Sequence, residues 1–305
     1  VRIGIIVNRI SRKKKFFYRH VYPALARNSV VDVWETEAAG HATALAREAA
    51  NQGYPVLLSA GGDGTLHQVV NGIRQSRCRT WPTLGVIPLG TGNDFARLAN
   101  MHLTKTNWGE LLQQPVHAVD LGVIRHGAAL QNTTYFINAC SLGLGPEVVQ
   151  RLANGSRVLG PFLTYVLAIA RSFVTNRPLP LSITTDRFSW QGNMRVCAVA
   201  NGQSFGASIY IAPQASVTDG CLNTFIAGEV SLLDFLKYLG SLKNGIKISD
   251  PRLHYGTALR AGINSLLPLW MEAEGELVGQ VPAEITVLPS AQPFIAQLGQ
   301  PPISG

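Results

Sequence analysis

A chain of 305 residues has room for two domains at about 150 residues each, and 46% hydrophobic against 14% charged residues excludes a disordered polymer. The 30 glycines and 17 prolines follow no triplet period, and Cys78, Cys140, Cys197 and Cys221 stand far apart, so a collagen-like fibre, a disulfide framework and a zinc finger are excluded as well. Lys and Arg (26) exceed Asp and Glu (18) for a net charge of +8, which favours anionic partners such as nucleotides, nucleic acid or acidic lipid headgroups without choosing among them.

The first half alternates strand-like and helix-like patterns, the rhythm of an α/β domain with a largely parallel sheet. Strands are predicted over residues 3–7, 30–34, 56–59 and 83–87, and helices over 16–27, 42–51 and 66–73, with a short one ending at Leu98. Gly61 and Gly62 close the third strand, and the turn 88–94 closes the fourth. The carboxyl edge of such a sheet is where ligands bind. Six basic residues (Arg9, Arg12, Lys13, Lys14, Lys15 and Arg19) follow the first strand with no acid among them; such a run is as often plain solvated surface as an anion site.

Beyond Gly122 the pattern changes. Strands are predicted over 135–139, 181–185, 195–200, 222–227 and 284–287, with helices over 162–174 and 232–241 and Ser231 as the N-cap of the second. Several strands with two helices predict a mainly antiparallel, β-rich second domain. The boundary is placed at 122–128, giving a nucleotide-binding domain over 1–124, rejoined by 290–305, and a β-rich domain over 125–289. The apolar stretch 162–170 falls well short of the ~20 residues of a membrane span. No secretory signal precedes the first strand, so a cytoplasmic protein is expected.

The sharpest feature is the GGDGT run of Gly61, Gly62, Asp63, Gly64 and Thr65, set between a buried strand and a helix expected from Leu66. Residues without side chains let a phosphate approach backbone N–H groups, and the helix adds its positive end. A carboxylate beside phosphates repels them unless it holds Mg²⁺ or takes a proton, so Asp63 points to phosphoryl transfer. In the second loop, Pro88 to Asp94, Gly90 and Gly92 permit close approach, while Thr91 and Asn93 offer neutral hydrogen bonds to phosphate or sugar. His41 and His67 lie beside these loops and read as packing or capping residues.

These motifs and their order resemble the diacylglycerol kinase catalytic-domain superfamily of bacterial lipid kinases and sphingosine kinases. The resemblance runs from Thr36, Gly40, His41 and Ala42 through GGDGTLHQVVNG (61–72), PLGTGNDFAR (88–97), DLG (120–122), FINACSLGLGPEV (136–148) and IAPQASVTDG (211–220) to EGE (274–276) and Pro282. It implies an α/β nucleotide-binding domain of the NAD kinase and diacylglycerol kinase type, a sandwich-like lipid domain, and ATP-dependent transfer to a lipid hydroxyl. By that likeness Thr36, Gly61 to Thr65, Leu66, His67 and Thr91 contact ATP, and Glu276 accepts the hydroxyl proton. Asp219, with the backbone carbonyls of Ser216 and Cys221, matches a structural Mg²⁺ site.

The chain departs from the pattern in three places. Asn8-Arg9-Ile10-Ser11-Arg12 stands where the family has Asn-Pro-x-x-Gly, Glu274 replaces the Asp of Asp-Gly-Glu, and Gly206-Ala207-Ser208 has lost two glycines. The acceptor implied is diacylglycerol, phosphatidylglycerol or a sphingoid base, met at an anionic membrane surface to which the basic run 9–19 adds roughly 1 kcal/mol per residue. An NAD kinase-like soluble kinase shares the GGDG run, and a catalytically silent lipid- or nucleotide-binding protein is the third reading. Nucleic acid is not expected, because the basic run carries only Phe16, Phe17 and Tyr18 as stacking aromatics.

Overall fold

The computed structural model describes residues 1–154, 161–206 and 208–298. Ala207 and the end of the 290–305 segment, both singled out in the sequence, lie outside the described residues. The chain divides into two compact units, Val1–Val119 with the segment from Ser290, and Asp120–Pro289.

In the first unit, β1 (Arg2–Val7), β2 (Val30–Glu35), β3 (Val56–Gly61) and β4 (Thr83–Pro88) form a parallel sheet in the order β2-β1-β3-β4. Every residue of β3 is buried, as expected of a parallel strand covered on both faces. The helix expected over 16–27 is α1 (Lys14–Phe16), a π turn (Phe17–Val21) and α2 (Tyr22–Ala26) in succession. Pro23 has no N–H to give the carbonyl four residues back, and the turn before it widens so that Tyr22 N–H bonds Phe17 O. The remaining helices are α3 (His41–Asn51), α4 (Asp63–Arg74) and α5 (Asp94–Leu98).

The chain does not leave regular structure at the start of the stretch 122–128. β5 (Val116–His126) runs through it and pairs with β6 (Asn132–Phe136). Gly122 stays in the strand because the Phe136 ring occupies the place of its Cβ, 1.9 Å away.

Among the described residues the second unit holds two large sets of antiparallel strands and a small hairpin, β11 (Ser204–Phe205) with β12 (Ile209–Tyr210). One contains β8 (Leu179–Thr185), β9 (Ser189–Met194), β15 (Arg260–Asn264) and the first part of β18 (Ala283–Ile295). The other has the order β14-β13-β10-β7-β16-β17, that is Leu253–Ala258, Leu222–Ala227, Val196–Ala200, Ala139–Gly143, Trp270–Ala273 and Glu276–Gln280. One face of this second sheet meets the first through Cys140, Leu142, Cys197, Val199, Ile183 and Ile285. Its other face, with Ala198, Phe225 and Ala227, packs on α7 (Pro161–Thr175) and α8 (Leu232–Asn244). The sequence reading did not contain the helix α6 (Leu144–Asn154).

Ser231 caps α8 as expected. Its hydroxyl accepts from Asp234 N–H at 3.1 Å, and the Asp234 carboxylate accepts from Ser231 N–H at 2.8 Å, a reciprocal capping box. Ser231→Ala is therefore expected to cost about 1 kcal/mol, read as a lower denaturant midpoint at unchanged slope.

Candidate active site

In the first unit the loops that follow β1, β3 and β4 are tied together. Gly61 O accepts from Leu89 N–H and Gly90 N–H, each at 2.9 Å. A Cβ on Gly90 would lie 2.3 Å from Gly62 Cα, so the two glycine turns touch backbone to backbone and only glycine fits there. The basic first loop latches onto the same place, with Ser11 Oγ donating to Leu89 O at 2.7 Å and Lys13 Nζ to Gly90 O at 2.8 Å. Lys14 pairs with Glu35 at 2.8 Å, so the run 9–19 is partly committed inside this unit.

α4 begins at Asp63 rather than near Leu66, with Gly62 as its N-cap. Gly-Asp-Gly-Thr is thus the helix start itself, and its first-turn N–H groups form the positive end. Asp63 Oδ1 accepts from Phe95 N–H at 3.2 Å, bracing α5, and Oδ2 lies beside Gly92. Thr65 Oγ1 accepts from Asn8 at 3.1 Å, and Thr36 Oγ1 from Arg9 N–H at 3.3 Å. Thr36 and Thr91 in their loops, and Gly61 to Thr65 at the end of β3 and the start of α4, therefore all stand at the carboxyl edge of the parallel sheet.

Four residues that the sequence placed at or beside these loops are engaged within the protein. Leu66 and His67 are buried in α4, with Leu66 N–H on Gly62 O and His67 O accepting from Asn71, because the helix starts earlier than expected and turns them inward. Asn93 uses both ends of its amide on Gly90, accepting from its N–H at 3.0 Å and donating to its carbonyl at 2.9 Å; it shapes the loop. His41 Nδ1 accepts from Glu37 N–H at 3.0 Å, a capping role.

In the second unit, β16 and β17 form a hairpin whose two turn residues, Glu274 and Gly275, have φ of 56° and 87°. Two positive φ values mark a tight primed turn, which glycine enters at no cost. The extra methylene of Glu274 is used: its Oε1 accepts from Ile137 N–H at 2.7 Å and Asn138 N–H at 2.6 Å. Glu276 follows directly and is exposed. Behind the turn stands a buried acid that sequence reasoning missed, Glu272, which accepts from Ser141 Oγ and from Gly275 N–H at 3.0 Å. Its only signal is an acid inside the apolar run of β16.

An apolar cavity with an interior volume of ≈ 90 Å³ lies between the second sheet and its helices. Tyr165, Ile169 and Phe173 of α7, Phe235 and Tyr238 of α8, and Phe225 and Ala227 of β13 line it. Arg195 on its wall donates to the carbonyls of Asn176 and Val230 and lies over the Phe173 ring; burial lowers its pKa. The cavity reaches Gly145, whose Cβ position is 3.2 Å from Glu272 Oε1. A chain of contacts therefore joins the cavity wall to the turn that carries Glu276.

Asp219 lies in a loop beside a second acid, Asp120 of β5, which sequence reasoning treated only as part of a motif. Asp120 Oδ2 accepts from Gly220 N–H at 2.7 Å, and Asp219 Oδ1 from Cys221 N–H at 3.0 Å. Burial, and then the charge of Asp120, raise the Asp219 pKa. Two neighbouring carboxylates, with the Ser216 and Cys221 carbonyls in the same stretch of chain, are oxygen donors of the kind Mg²⁺ takes. Among the described residues no cluster of three or more His, Cys, Asp or Glu side chains forms a metal centre, so carbonyls and water would complete the shell.

Residues 2–124 match the diacylglycerol kinase catalytic domain, and residues 140–296 the YegS C-terminal NAD kinase beta sandwich-like domain. A diacylglycerol kinase of Bacillus subtilis (strain 168) is 30% identical over 256 residues, 83% of this chain and 81% of that protein. One from Staphylococcus aureus (strain MRSA252) is 30% identical over 290 residues, 92% and 88% of the two chains. The crystal structure of a diacylglycerol kinase from Bacillus anthracis str. Sterne shares the fold with a TM-score of 0.75 at 20% identity, covering 97% of each chain. With both domains matched in order, the chain belongs to the diacylglycerol kinase catalytic-domain family, the lipid kinases that phosphorylate an alcohol.

Proposed function

We propose that the protein is an ATP-dependent kinase that moves the γ-phosphate of ATP onto the hydroxyl of a diacylglycerol-like lipid. The apolar cavity carries this reading, because it offers an acyl chain a wall of hydrocarbon that ends at Gly145, the neighbour of Glu272 behind the turn bearing an exposed carboxylate. An NAD kinase would have no use for such a cavity.

In this reading Gly61 to Thr65, Thr36 and Thr91 hold the triphosphate, with the first-turn N–H groups of α4 and the Lys13 ammonium opposing its charge. Glu276 accepts the proton of the lipid hydroxyl as that oxygen attacks. Glu272 and Glu274 fix the turn on which Glu276 stands. Asp63 would hold an Mg²⁺ beside the triphosphate, and the Asp219 loop, with the carbonyls of Ser216 and Cys221, a separate structural Mg²⁺. When bound, Mg²⁺ supplies positive charge that offsets crowded carboxylate and phosphate oxygens.

Two measurements test the acceptor and metal assignments. Ala227→Phe adds a ring inside the cavity and is expected to raise KM for a long-chain diacylglycerol by about 10-fold or more, with KM for ATP unchanged; an unchanged lipid KM removes the cavity from acyl binding. Mg²⁺ without nucleotide is expected to raise the wild-type Tm, at ~100 times its Kd by an amount equivalent to about 2.7 kcal/mol. That rise should be absent in Asp219→Asn, and an equal rise in both proteins would take the ion away from this loop.

A further inference from the structure

The apolar cavity is too small for an acyl chain as it stands. Its ≈ 90 Å³ is less than the ~150 Å³ of a cavity that takes one benzene molecule, so a chain enters only by displacing the walls. One stretch of wall is the start of α6, where Leu144, Gly145 and Val148 line the cavity. Behind it α6 lies on β7, β16 and β17, the strands of Ser141, Glu272 and Glu276.

No slack separates that wall from the two polar residues beneath it. A Cβ on Gly145 would lie 2.0 Å from Ser141 Oγ and 3.2 Å from Glu272 Oε1, so the helix rests on this pair with no side chain between. Ser141 and Glu272 stand opposite each other on β7 and β16. Their neighbours Cys140, Leu142, Met271 and Ala273 fill the core between the sheets, which sends Ser141 and Glu272 to the opposite face, under α6. Glu272 is 3% exposed, and burial of a carboxylate costs free energy that hydrogen bonds must offset. Its two oxygens serve two different elements: Oε1 accepts from Ser141 Oγ beneath the cavity wall, and Oε2 accepts from Gly275 N–H at 3.0 Å in the turn. The next residue after Gly275 is Glu276.

We propose that Ser141 and Glu272 are positioning residues that couple acyl occupancy of the cavity to the placement of Glu276, so that acyl length is read in kcat as well as in KM. This coupling rests on the lipid-kinase reading and deepens it. A chain that presses on Leu144 and Gly145 displaces the Ser141–Glu272 pair, and Glu272 passes the displacement to the Gly275 amide through contiguous packing and hydrogen bonds. Binding energy from the unreactive part of the substrate then orients the base, the behaviour in which a truncated substrate loses kcat and not affinity alone. Glu274 stands outside the relay. It ties the turn to Ile137 and Asn138 N–H, and neither residue lines the cavity.

The test compares phosphorylation of dibutanoylglycerol and dioctanoylglycerol at saturating ATP by wild type, Ser141→Ala and Glu272→Met. Ser141→Ala removes the bond beneath the wall and leaves the Gly275 bond in place, while Glu272→Met keeps a side chain of similar length and removes both acceptors. Wild type is expected to turn over the dioctanoyl substrate with a kcat about 10-fold or more above that for the dibutanoyl one. Both variants are expected to bring that ratio near unity, while KM still falls with chain length as in wild type, the sign of an intact cavity. A wild-type ratio in either variant, a kcat lowered by the same factor for both substrates, or a ratio of one in the wild type itself overturns the coupling and leaves the kinase reading standing. Transfer to neither glyceride by wild type is the separate failure of the kinase reading, and removes the coupling with it.

Discussion

Glu276→Gln is expected to lower kcat by about 10²–10⁴-fold and to leave the affinity for ATP unchanged. The substitution keeps size and hydrogen bonding but removes the ability to take a proton. Glu276 is exposed on the first position of β17, and no bond of the turn depends on its carboxylate: Glu274 is held by Ile137 and Asn138 N–H, and Gly275 by Glu272. The fold should therefore survive, and a Tm close to wild type is part of the expectation. A variant that turns over lipid at the wild-type rate would leave Glu276 no role as base.

Gly90→Ala carries the second large effect. The added methyl would sit 2.3 Å from Gly62 Cα, 2.9 Å from Gly62 N and 2.8 Å from Asn93 Oδ1. Two of these atoms are backbone, so no rotamer change relieves the contact and the two glycine loops must separate. Overpacking of this kind costs about 1–3 kcal/mol. Displacing phosphate-binding N–H groups by ~1 Å is expected to reduce kcat/KM for ATP by about 10²-fold. Calorimetric titration with a non-hydrolysable ATP analogue reads the binding part directly. Wild-type affinity in the variant would show that the contact of the two loops does not shape the nucleotide site.

Much of the first unit was legible because its signals are local. A mostly apolar strand ending in glycines announces β3, and the alternation of strand and helix announces the parallel sheet. The start of α4 was placed three residues late, since Asp-Gly-Gly clusters are also turn formers and only the structure puts Gly62 at the cap. In the second unit β13 was read over its full extent and Ser231 was recognised as a cap, both from local pattern. The strands at 253–258, 260–264, 270–273 and 276–280 were missed. Their burial alternates poorly: β14 exposes His254 between buried Leu253 and half-buried Tyr255, and β16 buries Glu272 beside Met271. What holds them is pairing with partners distant in sequence, such as Glu272 opposite Ser141, which single-residue preference cannot register.

The site divides along the same line. Glycine turns and the Glu274–Glu276 run were visible as motifs. Glu272 was not, nor was the cavity, because both exist only where α6, α7 and α8 close on the second sheet. The inward turn of Leu66 and His67 and the bracing by Asn93 likewise depend on where a helix begins and what its neighbour's backbone offers.

The most direct test follows the phosphate. With γ-labelled ATP, Mg²⁺ and long-chain diacylglycerol in mixed micelles, the label is expected in a lipid phosphate monoester, in amounts that Glu276→Gln and Ala227→Phe both reduce. Label found only in inorganic phosphate, or in NADP when NAD is supplied while the lipid stays unmarked, would contradict the account.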